Sequence, residues 1–171
     1  MTTIKEGSLT FQFDAGVGAS KYDDWLFYRR QFQNKCCSDN KAVDFLCQAD
    51  NISWLVEVKD YRQHSRTKPT ELANEVARKV RDTLAGLVAA QFNATETEEK
   101  KMAHKMLRAS CMRIVCHLEQ PSRASRLRPQ GHAIEPDKLQ WQLRQQLKAI
   151  DPHPLVVDAA SIGHRLPWAV I

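Results

Sequence analysis

Between residues 42 and 62 the chain reads AVDFLCQADNISWLVEVKDYR, two apolar runs that each carry charge. Both are rich in Val, Ile, Phe, Trp and Leu, side chains that pack well on a pleated surface. Asp50 and Asn51 between them are turn chemistry, because Asn tolerates the positive φ that a two-residue hairpin loop requires. The pattern predicts an antiparallel hairpin in which Ala49 faces Ile52, Gln48 faces Ser53, Leu46 faces Leu55 and Asp44 falls opposite Glu57. Lys59, two residues on, shares the face of Glu57. Ile52, Trp54, Val56 and Val58 then form the opposite, apolar face, suited to packing on a helix. A slip of one residue would separate Asp44 from Glu57, so the reading depends on that turn.

The same periodicities organise the rest. Ser20 to about Asn34 reads as a helix with Ser20 as N-cap and an apolar stripe through Tyr22, Trp25, Leu26 and Phe32. A first meander strand is expected either at Phe32 to Cys37 or at Leu9 to Phe13, ahead of that helix. A long helix is expected from Thr70, its N-cap, to Phe92. Leu72, Val76, Val80, Leu84 and Leu87 recur there at helical spacing, with Arg78, Lys79 and Arg81 on the remaining surface. ATETEEKKMAHKMLRAS reads as another amphipathic helix, in which Met102 and Met106 are core packing. CMRIVCHLE alternates as a strand. A helix from about Pro136 to Ile150 and a short strand, LVVDAA, follow and are expected to extend the same sheet.

The charged hairpin is where chemistry is expected. Opposed carboxylates about 5 Å apart repel unless something positive sits between them. A solvated amphipathic hairpin would carry the same residue types. WLVEVK, however, is nearly continuous apolar, as in a strand covered on both faces, where charges seldom lack partners. A hard divalent cation such as Mg2+ or Mn2+ is one such partner, and it lowers the pKa of bound water enough to make a nucleophile. Lys59 beside it would orient that water, help deprotonate it, or steady charge growing on a phosphate.

Asp44, a gap of twelve residues, then Glu57-Val58-Lys59 at the end of an apolar strand resembles the signature of the PD-(D/E)XK nuclease superfamily, in its restriction-endonuclease-like and Holliday-junction-resolvase-like flavour. The resemblance covers about residues 20 to 118 and implies an α/β fold, a mixed central β-sheet flanked by helices in αβββαβ order. It implies Asp44 and Glu57 as metal carboxylates, the Val58 carbonyl as a further ligand and Lys59 as the catalytic lysine of a Mg2+-dependent endonuclease, a hydrolase acting on DNA in preference to RNA. Many members place an acid on the first helix; Asp23 and Asp24 are available, although first-turn acids are also ordinary helix-dipole partners. Val43 stands where the family name has proline, and no Gln-x-x-x-Tyr element follows Lys59. A catalytically silent member of the same fold, binding nucleic acid or a protein partner, is the alternative, and a coincidental surface hairpin on an interaction protein is another.

Composition adds the partner. At 171 residues, 43% hydrophobic and 26% charged, the chain suits one domain with a real core. A net charge of +5 favours a phosphate-rich partner. Arg62, Arg66 and Lys68 after the motif, with Arg123, Arg126 and Arg128 in the later loop QPSRASRLRPQGH, are the expected nucleic-acid contacts. A solvated basic face explains them equally well. The five cysteines lack Cys-x-x-Cys spacing and read as reduced thiols of a cytoplasmic protein. Zinc is not expected, since alternation puts Cys116 and His117 on opposite faces of a strand. No signal-like or membrane-spanning run is apparent. A homodimer or a place in a larger complex is compatible with all of this.

Overall fold

The computed structural model describes residues 1–68, 70–121, 133–163 and 166–171. Five strands form a central mixed sheet in the order β3 (Gly18–Lys21), β4 (Phe45–Ala49), β5 (Ile52–Asp60), β6 (Cys111–Glu119) and β7 (Leu155–Val157). β3, β4 and β5 are antiparallel neighbours, whereas β5, β6 and β7 run parallel. The parallel step from β5 to β6 needs a long crossover. It is made by α1 (Leu72–Asn93) and α2 (Thr97–Arg108), and α3 (Pro136–Leu147) joins them on one face of the sheet. The fold is therefore α/β, with a mixed sheet flanked by helices.

The hairpin forms as the turn chemistry dictates. Asp50 and Asn51 both take positive φ, at 49° and 60°, the pairing of a type I′ turn. Ala49 pairs with Ile52, Gln48 with Ser53 and Leu46 with Leu55. Regular pairing ends at Phe45 and Val56, which leaves Asp44 just past the ladder and opposite Glu57.

The other face differs from the expectation of a helix. A second, three-stranded sheet covers it, in the order β1 (Thr2–Glu6), β2 (Leu9–Phe13), β8 (Trp168–Val170). Phe11 and Phe13 of β2 and Trp168 of β8 meet Phe45 at ring-centroid distances of 4.8, 5.7 and 5.8 Å, and Trp54 meets Trp168 edge-on. Such tilted aromatic packing adds to ordinary area burial. Leu9 to Phe13 is thus a strand, but of this second sheet; the strand that begins the meander is Gly18–Lys21.

The first helix is the main correction. Ser20 lies in β3, where its residue pairs with Leu46. A 3-10 turn follows at Tyr22–Asp24 and a π-helical turn at Tyr28–Phe32. The amides of Leu26 and Phe27 donate to the Glu99 carboxylate of α2, at 2.7 and 3.0 Å. The N-terminal cap of this segment therefore comes from a residue distant in sequence. Phe32 to Cys37 closes this turn and is not a strand.

Candidate functional site

Asp44 is fixed by its own backbone. Its carbonyl accepts from the Tyr22 amide at 3.0 Å, and its amide donates to the Val56 carbonyl at 3.1 Å. The segment leading to it is tied to α1, since the Lys41 amide donates to Asp82 and the Val43 amide to the Thr83 hydroxyl. One carboxylate oxygen, Oδ2, accepts the Val58 amide at 2.6 Å, so what the structure shows of Val58 at the site is its N–H. The other oxygen, Oδ1, faces the Lys79 ammonium at 3.7 Å.

Glu57 projects from β5 toward the helices, with 1% of its side chain exposed. Its Oε1 receives two ammoniums, Lys79 at 2.6 Å and Lys59 at 2.7 Å. Lys59 also reaches Glu75 of α1 at 2.8 Å, and Glu75 in turn receives Arg66 and Lys68. The positive charge required between the paired carboxylates is therefore supplied from α1, by Lys79. On the acid side, ligand oxygens of Glu6, Asp23 and Asp44 lie within 4.8 Å of one another.

Burial sets the protonation of this cluster. Desolvation, reinforced by the Asp44 charge, pushes the Glu57 carboxyl up to about 7 despite its two lysines. Desolvation likewise raises Asp44, and raises Asp23 to about 6. Burial would raise Glu75 too, but hydrogen bonds and charge from Lys59, Arg66 and Lys68 hold it down at about 2. Lys59 moves up: desolvation opposes its charge, and Glu57 and Glu75 more than offset that. Groups shifted this far and gathered in one place are characteristic of functional sites.

The donor set fits a hard cation. Glu57 Oε2 and Asp23 Oδ1 are buried and have no hydrogen-bond partner, and carboxylate oxygens are what Mg2+ and Mn2+ take. Asp44 and Glu57 would contribute from the hairpin, with Asp23 and Glu6 beside Asp44.

Of the expected site residues, Asp44, Glu57, Val58, Lys59 and Asp23 come together. Asp24 does not; it pairs with Arg29 and Lys21. Arg62 turns to Asp60 and Ser8, whereas Arg66 and Lys68 stand with Lys59 and His64 around a pocket next to the cluster. Arg123, Arg126 and Arg128 lie outside the described residues. Cys116 packs in the helix-side core, and His117 stands edge-on to Phe11 across the sheet. Lys79, expected on the outer surface of its helix, joins the site instead, together with Glu75, Glu6 and Lys21, which carry no such expectation. For Lys79 the signal was present: it sits three residues after Val76 and four before Thr83, both buried on the same stripe.

A cysteine–tRNA ligase of Neisseria meningitidis is 36% identical to this chain over 159 residues, an alignment that takes in 75% of the chain and 23% of the relative. The chain thus spans about a quarter of that protein's length. No family model matches, and no solved structure matches. This likeness overturns the expectation of a DNA endonuclease: the protein that shares the sequence is a ligase named for tRNA, and nothing in the comparisons points to hydrolysis of nucleic acid.

Proposed function

We propose that the chain is a tRNA-binding domain serving a tRNA-ligating enzyme, and that its carboxylate–lysine site meets the RNA backbone. The observation that carries this reading is the 36% identity, over most of the chain, to a cysteine–tRNA ligase. RNA replaces DNA as the expected partner on the same ground.

The site's chemistry agrees with it. The pocket formed by the end of β5 and the segment after it is lined by Lys59, His64, Arg66 and Lys68, donors of the kind that hold phosphate oxygens. Arg66 is held by Tyr61 and Glu75, at 3.1 and 2.9 Å, and a guanidinium held in this way loses little freedom on binding. Mg2+ bound at Asp44 and Glu57 would supply positive charge shared between the carboxylates and a phosphate oxygen. Lys59 keeps its proton and donates to the same region. These contacts position a backbone and carry no sequence information, so selectivity for a particular tRNA must come from elsewhere.

The test is equilibrium binding of the purified chain to a cysteine-accepting tRNA, to other tRNAs and to duplex DNA of similar length, across a salt series. tRNA should bind at least tenfold more tightly than the duplex, and log Kd should rise with log salt. Replacing Lys68 with Ala should flatten that slope by about one. Equal affinity for duplex and tRNA, or no binding to either at low salt, would overturn the reading.

A further inference from the structure

We infer that Lys79 is a built-in competitor for the divalent cation at the Asp44–Glu57 site, so that the α1 ammonium and the metal occupy the site in turn. The inference rests on the metal-binding part of the function proposed above. It concerns how that site is controlled.

One ammonium already faces both acids. Lys79 Nζ stands 2.6 Å from Glu57 Oε1 and 3.7 Å from Asp44 Oδ1. A divalent cation taking an oxygen from each residue would claim the same two oxygens that the ammonium now faces. Charge gives the same answer. Glu57 Oε1 already holds two ammoniums, Lys59 and Lys79, so a dication arriving at that oxygen with both in place would crowd like charges together.

Of the two lysines, Lys79 is the one free to leave. Lys59 is held from the far side by Glu75 at 2.8 Å, and Glu75 is itself fixed by Arg66. The ion pairs of Lys79 are with the two site acids themselves, and its side chain is 17% exposed. It stands on a flexible four-carbon stem that reaches solvent by rotation. Glu57 Oε2, buried and without a hydrogen-bond partner, is a ligand atom that Lys79 does not satisfy, and a cation would.

The test is Mn2+ titration by electron paramagnetic resonance of free ion, comparing wild type, Lys79→Met and Asp44→Asn, each checked for folding by circular dichroism. Competition requires Lys79→Met to bind Mn2+ at least tenfold more tightly than wild type, and Asp44→Asn to lose the site. In wild type, Mg2+ should raise the rate at which a water-soluble acylating reagent labels Lys79, mapped by peptide mass, several-fold over the rate in EDTA. Equal Mn2+ affinity in wild type and Lys79→Met would overturn the competition and leave the metal site standing. No Mn2+ binding by any variant would overturn both, while tRNA binding, measured separately, would show whether the RNA reading survives. If Lys79→Met does not fold, labelling decides: a rate unchanged by Mg2+ refutes the inference.

Discussion

Glu57 and Lys79 illustrate how little a residue's type says until its neighbours are known. Each alone is a surface charge in most proteins; together they form a buried pair at 2.6 Å. Removing Lys79 takes one of two ammoniums from a carboxylate that is 1% exposed, leaving Lys59 at 2.7 Å as its remaining ion-pair partner. Lys79→Met should therefore lower unfolding free energy by about 2 kcal/mol at pH 8, read from urea denaturation. The loss should shrink at pH 5.5, where Glu57 takes up a proton. Asp44 and Glu57 were legible as a pair because strand alternation and an Asp-Asn turn fix which side chains meet. Lys79 was not, because basic residues on a helix default to the solvent side unless the apolar stripe around them is followed residue by residue.

At the scale of elements, α1 both builds the core and supplies half the site. Gly86 marks how tightly it packs: a β-carbon there would stand 2.0 Å from the Tyr22 hydroxyl oxygen and 3.4 Å from Phe32. In a free helix, Gly→Ala gains about 1 kcal/mol. Here Gly86→Ala should instead destabilise, by about 2 kcal/mol net, since the clash falls on a fully buried ring. A rise in thermal midpoint for that variant would show that the aromatic cluster can move aside. The long helices and the β4–β5 hairpin were readable because each satisfies its own periodicity. The short helix expected at Ser20 was not, since its start is capped by Glu99 from α2 and Ser20 is drawn into pairing with β4. Similarly, an apolar strand face looks the same whether a helix or a second sheet covers it; the aromatic-rich β2 and β8 decide for a sheet.

For the whole molecule, the buried acids set how stability varies with pH in metal-free buffer. Glu57 has a folded pKa of about 7, above its unfolded value, so the native state binds the proton more tightly. Its contribution therefore grows as pH falls from about 7 toward the ordinary carboxylate range near 4.5. Asp23, raised to about 6, acts in the same direction. Glu75 works oppositely: held at about 2, its contribution is full above the ordinary range and lost as pH falls through the folded value. Thermal midpoints should consequently peak on the acid side of neutrality, between about pH 4.5 and 6, and a maximum at pH 8 would contradict this electrostatic picture. Among the described residues no helix is long and apolar enough to cross a membrane.

The identity of the partner was the part least open to sequence reasoning. Paired acids, a lysine and a basic flank led to the expectation of phosphodiester hydrolysis, but the same residue types serve many chemistries on one fold. Whether tRNA lies over the Asp44–Glu57–Lys59 cluster is decided by hydrogen–deuterium exchange with and without saturating tRNA. Exchange should slow in residues 58–68 and in the first three turns of α1, with the β1–β2–β8 sheet unchanged. Protection confined to that small sheet, or to the outer surface of α1 around Val88 and Phe92, would contradict this placement.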